Sequence, residues 1–381
     1  MNRAGIILSI ACVLICPGSL SAQSQKKPVR LLINTGVDTS NHDISEVIRL
    51  WGNYLNSNPD SVADNPYWLT AEKKMFAQPD LVDHTWWSPS LYTHLRINKP
   101  TVLSVSQLNN GFRIRTLFGS AADSGYAGVA AITEIAAKKE GEVYRLCNIL
   151  PYNTASWGKE TIGSITFHFP ADHAFNTSLA EHMNRFVDSL RSVWHLEPVA
   201  VDYYFAGTKD SMFKALGYDY LMTEGNIARP GGYTQVKNRL IISGGSNEWY
   251  PHEFVHIYIN PHFPKAHSYF SEGYATLLGG SRGHDLEWHI RRTEAYLTDH
   301  PDVDLLNLNN IDYTTSTVYV VGGLICRMAE EKGGVDLIKK LLGYGNEDED
   351  FRNAMNDVFG VDQKDLNQFI KAKISEYAKR P

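Results

Sequence analysis

Apolar residues change their spacing twice along the chain. Over residues 44–56 (I-S-E-V-I-R-L-W-G-N-Y-L-N) they fall at Ile44, Val47, Ile48, Trp51 and Leu55, the spacing of an amphipathic helix. A second helix is predicted over Trp68 to Phe76. The period then drops to two. Val102 to Ser106, Phe112 to Phe118, Val129 to Ala137 and Val143 to Ile149 read as strands, separated by Asn109-Asn110-Gly111, Gly125 and Gly141. Ile162 to Phe169 is a further strand. Helices followed by antiparallel strands predict an α+β domain over 27–170.

Beyond residue 171 the helical period returns. Ala174 to Val193 carries Phe175, Leu179, Met183, Phe186, Val187 and Leu190 on one side. Val199 to Phe205 and Asn238 to Ser243 are short strands, the second ending on Gly244-Gly245. Helices are predicted over 251–259, 271–279, 285–298, 317–331, 334–342, 350–358 and 363–378. A small sheet with a mainly helical second half therefore fills 171–381, with the boundary near Pro170.

Composition narrows the function. The 381 residues are 43% hydrophobic with a formal net charge of -6, and no basic tract stands out, which argues against a nucleic-acid partner. The start reads as an export signal over 1–22: Met1-Asn2-Arg3, then the apolar run Ala4 to Cys16, too short to span a bilayer, then S-L-S-A before Gln23. Cys12 and Cys16 raise lipid anchoring, but Ser9 and Ile15 spoil both lipobox positions. The expectation is cleavage near Ala22 and an exported protein, periplasmic or secreted, with no membrane span after cleavage. Cys147 and Cys326 then remain, either as one long-range disulfide or as two buried thiols.

The chemistry concentrates in 252–276. His252 and His256 are four apart, so one helix face presents both imidazoles to one ion. Glu253 is placed to take a proton from water on that ion. Pro251 suits the first helical turn, and Asn260-Pro261 ends the helix. The third ligand has three candidates. His262 has the six-residue spacing of the metzincins, but the glycine their turn requires is replaced by Ile259, a β-branched residue ill suited to positive φ. His267 lies in the same loop. Glu272 sits early in a helix opened by Ser271, and a helix crossing the first can aim its carboxylate at the ion. Two histidines, one glutamate and an open fourth position make a catalytic zinc site.

H-E-F-V-H followed by S-E-G-Y-A resembles the gluzincin zinc peptidases, including the M1 aminopeptidases and the wider peptidase MA-like proteins. Y-V-V-G-G at 319–323 is similar to the Y-x-x-G stretch of those families. The resemblance covers roughly 172–345. It implies one Zn2+ held by His252, His256 and Glu272, Glu253 as general base, and Tyr319 as donor to the tetrahedral intermediate, with Tyr313 a second candidate. The His256-to-Glu272 gap is shorter than in M1 enzymes, and no G-x-M-x-N stretch is present to hold a free substrate amine. The N-terminal region bears a faint resemblance to NTF2-like domains.

The expected function is zinc-dependent hydrolysis of a peptide or protein substrate. The alternative is a catalytically silent gluzincin-fold envelope protein that binds peptide or glycan. The Asn238 to Ser243 strand is expected to serve as an edge for an extended peptide. Glu248, Arg282 and His284 are candidates to shape the site, and Asp285 to orient a ligand histidine.

Overall fold

Two sheets, each backed by helices, organise the α+β chain. The computed structural model describes residues 28–57, 65–82, 99–121, 127–222 and 231–380. The expected export signal over 1–22 lies outside the described residues.

The chain opens with β1 (Leu32–Ile33), α1 (His42–Asn56) and α2 (Thr70–Met75). Then come β2 (Lys99–Leu108), β3 (Gly111–Ala121), β4 (Ala127–Glu140) and β5 (Val143–Cys147), which follow β1 in spatial order. β2 to β5 are antiparallel neighbours, and β1 joins β2 in parallel. Asn41 caps α1 by accepting from the Ile44 amide. The predicted apolar face of α1 is buried through Val47, Ile48, Trp51, Tyr54 and Leu55. Trp51 Nε1 donates to Thr116 Oγ1 at 2.9 Å, which satisfies the indole and ties the helix to β3.

A short α3 (Leu150–Asn153) leads to β6 (Gly158–Ile162) and β7 (Ile165–Phe169). The single strand expected over Ile162 to Phe169 is thus mostly the second arm of a hairpin. It turns at Gly163, whose positive φ of 59° suits glycine. After α4 (Thr177–Trp194) and β8 (Val201–Phe205), the chain makes α5 (Lys209–Leu216), β9 (Tyr218–Leu221), β10 (Gly232–Gln235) and β11 (Leu240–Ser243). The second sheet has the order β10-β11-β8-β7-β6. β7, β8 and β11 are parallel, and β6 and β10 lie antiparallel at its ends.

The two cores do not divide at Pro170. β6 and β7 belong to the second sheet, while β9 pairs with β4 of the first. Met212, Phe213, Leu216 and Tyr218 pack into the first core. The Asn238 to Ser243 strand is not an edge either. β11 lies between β10 and β8, with Leu240 and Ile242 in the first core and Ile241 in the second. The outer strand on that side is β10.

The second core is completed by α6 (Pro251–Ile259), α7 (Ser268–Gly279), α8 (Leu286–Asp299), α9 (Thr317–Leu342), α10 (Asp348–Phe359) and α11 (Leu366–Ala378). α9 breaks at Gly333–Gly334, where the two helices predicted over 317–331 and 334–342 meet. Cys147 and Cys326 are free and buried in separate clusters, so the disulfide alternative falls. Among the described residues, no helix is long and apolar enough to cross a membrane.

Candidate metal centre

α6 begins with Pro251 at its first position, and all nine of its residues are buried. Burial on every side fixes its rotation, so the 3.6-residue turn presents His252 and His256 together, ring centroids 5.0 Å apart. Glycines bring the neighbouring helices against it. A Cβ on Gly279 would stand 2.3 Å from the His252 amide nitrogen, so α7 ends against the start of α6. A Cβ on Gly273 would stand 2.3 Å from the Gly322 carbonyl carbon, and one on Gly322 would stand 2.1 Å from the Tyr269 oxygen. α7 and α9 therefore touch backbone to backbone. The glycines of S-E-G-Y-A and Y-V-V-G-G are what bring Glu272 and Tyr319 close.

Glu272 is the third member. One carboxylate oxygen lies 3.2 Å from His252 Nε2 and 3.4 Å from His256 Nε2. A tetrahedron with metal–ligand bonds near 2.0–2.1 Å has an edge of about 3.3 Å. The ligand atoms of His252, His256 and Glu272 all lie within 4.8 Å of one another. The histidine side chains are 9% exposed and that of Glu272 31%, so the cluster opens to solvent on the carboxylate side.

Hydrogen bonding makes the cluster demand a cation. His252 Nδ1 is 2.7 Å from the Gly280 carbonyl, which can only accept, so Nδ1 carries the hydrogen. In the neutral ring, Nε2 then turns a lone pair toward the Glu272 oxygen. The side-chain amide of Asn260 lies 3.2 and 3.5 Å from His256 Nδ1, leaving that ring's Nε2 for the cluster as well. At His252 a lone pair and a carboxylate cannot face one another without a positive particle between them, and a proton or a metal ion fits. With a proton in that place, burial pushes His256 down but the Glu272 carboxylate overcomes it and lifts His256 to about 9. Burial alone would raise Glu272; the two imidazoles hold it well below the usual carboxylate range.

Glu253 is buried, and its Oε2 accepts a 2.6 Å hydrogen bond from Thr234 Oγ1 on β10. The Tyr319 ring centroid is 5.8 Å from that of His252, at 77°. Burial first, and Glu272 next, push the Tyr319 phenol up to about 12 against the opposing pull of Arg282, whose guanidinium lies 5.5 Å from the ring centroid. Burial and then Glu253 hold Tyr250 well above the ordinary tyrosine value. The site is thus flanked by two phenols that keep their protons.

Other expected residues lie apart from the cluster. His262 is exposed on the loop after α6. His267 caps α7 by accepting from the Tyr269 amide and stacks on Tyr269 and Phe351. Tyr313 is 54% exposed and offers Arg282 its backbone carbonyl. Glu248 is wholly buried, accepting from the Asn176 amide and pairing with His173, so it anchors the start of α4. His284 stacks on Trp288. Asp285 caps α8 through the Trp288 amide, and the Gly280 carbonyl takes the orienting role expected of it. A second carboxylate–histidine group, His42, Asp43 and Glu46, belongs to the exposed first turn of α1, where Lys139 and Arg49 pair with its acids.

Sequence reasoning missed Thr234, Tyr250, Asn260 and Gly280 as parts of the site. Only Asn260 carried a signal: it stands one turn after His256, within reach of that ring. No family model, curated protein or solved structure matches the chain.

Proposed function

We propose that the protein is an exported zinc metallopeptidase that hydrolyses peptide bonds in a peptide or protein substrate. The observation that carries this reading is the convergence of His252 Nε2, His256 Nε2 and a Glu272 oxygen, with buried Glu253 next to the first ligand. Export is supported by the residue pattern over 1–22. Zinc fits because two imidazoles and one carboxylate with an open side are the ligand set of catalytic zinc.

When bound, the ion supplies Lewis-acid polarisation of water and of the scissile carbonyl. The rest falls to side chains. Thr234 holds one oxygen of Glu253, and the other takes the proton of the attacking water and passes it to the leaving amine nitrogen. Tyr319, still protonated at neutral pH, donates to the carbonyl oxygen as negative charge gathers there. Among the described residues no strand covers the outer side of β10, which therefore offers its backbone to an extended substrate next to the base.

Glu253→Gln tests the reading. It should keep stoichiometric zinc while cleavage of a broad peptide library falls by about 10²–10⁴. A zinc-loaded wild type that cleaves no peptide in that library would instead favour a binding protein.

A further inference from the structure

A cavity among the described residues lies elsewhere. It measures about 640 Å³ and shares no lining residue with the metal centre. That volume suits a small-molecule site, commonly about 300–1,000 Å³. It opens where the chain leaves the carboxyl ends of β7 and β8, through Pro170 and Gly207, and is walled on the other side by residues of β3, β4 and β9. Crevices outside the carboxyl ends of parallel strands are where such sheets bind ligands. A second space of about 230 Å³ shares Pro170, Asp172 and Gly207 and continues to Ser246, so the groove is elongated.

The lining excludes several ligand classes. Its cations are already engaged: Arg113 Nη2 donates to Asn153 and Nη1 lies 3.5 Å from Glu134, while Lys214 pairs with Asp210. Of the carboxylates of Glu134, Asp172 and Asp219, the first faces Arg113 and the last is bonded by Arg115, so both arginines are already balanced by acids, which disfavours phosphate, sulfate and polyanions. Those three carboxylates do not converge as a metal group. What remains is a wall of donors and acceptors beside the half-buried indole of Trp157. Arg113 Nε is buried there without a hydrogen-bond partner. A sugar hydroxyl both donates and accepts, so it can bridge such pairs without carrying charge, while the C–H face of the ring packs on an indole.

We propose that this groove binds a neutral oligosaccharide, with Trp157 as the stacking platform and Arg113 and Asp172 reading hydroxyls. The site is independent of the metal centre. The test is calorimetric titration of the full chain with cellotetraose, N-acetylchitotetraose and mannotetraose, with tetra-alanine and a heparin tetrasaccharide as controls. At least one neutral saccharide should bind, and Trp157→Ala should weaken it by about tenfold or more with zinc content unchanged. Exposed Asp172→Ala should weaken the same saccharide and serves as the second variant if Trp157→Ala misfolds. The proposal is overturned if no neutral saccharide binds at millimolar concentration, if only a control binds, or if binding survives these substitutions.

Discussion

Glu272 and Glu72 are both drawn into the fold, and their surroundings send them in opposite directions. Glu72, on α2, accepts from the Asn148 backbone amide at 2.9 and 3.1 Å and from its side-chain amide at 2.6 Å. Burial dominates there and pushes Glu72 up to about 7, although the Asn148 bonds pull the other way. Glu272 also meets burial, but His256 and His252 outweigh it. Amides orient a carboxylate without neutralising it. Imidazoles can take up the compensating charge or share an ion with it. One carboxylate is therefore a staple between α2 and the end of β5, and the other sits where a proton or an ion can balance it.

Removing each carboxylate separates the two roles most sharply. Glu272→Ala should weaken zinc binding by more than about a hundredfold, beyond the 10–100-fold typical of losing a residue that only supports a ligand. Glu72→Ala should leave zinc stoichiometry unchanged. Chelator competition reads both, and equal losses would mean that Glu272 acts only through folding.

The staple should show itself in the pH dependence of stability. Folding raises Glu72 from an ordinary value of 4.5 to about 7, so the folded state holds its proton more tightly than the unfolded state does. Its contribution to stability is therefore lost as pH rises through that window, by about 3 kcal/mol. Glu72→Gln should remove this slope. Urea unfolding of both proteins at the two ends of the window measures the difference, and identical slopes would refute the assignment.

Smaller effects test the supports of the metal cluster. Asn260→Ala should weaken zinc binding by about tenfold while leaving the fold intact, because His256 loses the partner of its Nδ1. Thr234→Val should lower kcat by about fivefold, the loss of roughly 1 kcal/mol of hydrogen bond, with zinc affinity unchanged. A fall in zinc affinity in the second variant would place Thr234 among the metal's supports instead of the base's.

Local periodicity carried much of this into the sequence. α6 was legible residue for residue because Pro251 and Asn260-Pro261 bracket one apolar turn pattern. Glu272 was legible because a helix start preceded it, although α7 begins earlier than expected, at Ser268, since a histidine caps it. Non-local pairing was not legible. The run L-I-I-S is apolar on both faces, which marks an interior strand, whereas G-Y-T-Q at β10 has too little pattern to announce the edge. The single strand expected over Ile162 to Phe169 falls within the first domain by its place in the chain, but the parallel pairing of β7 with β8 decides its sheet. Asp285 is a helix cap whose carboxylate is taken up by the Trp288 amide, so it orients no ligand histidine.

The Gly280 carbonyl has a consequence for the order of folding. It belongs to the residue that ends α7, the helix carrying Glu272, and it also fixes the hydrogen on His252. A chain in which α6 has formed but α7 has not docked lacks the carboxylate and leaves the first imidazole free to exchange tautomers. On the proposed reading, metal capture would be a late event that reports docking of α7.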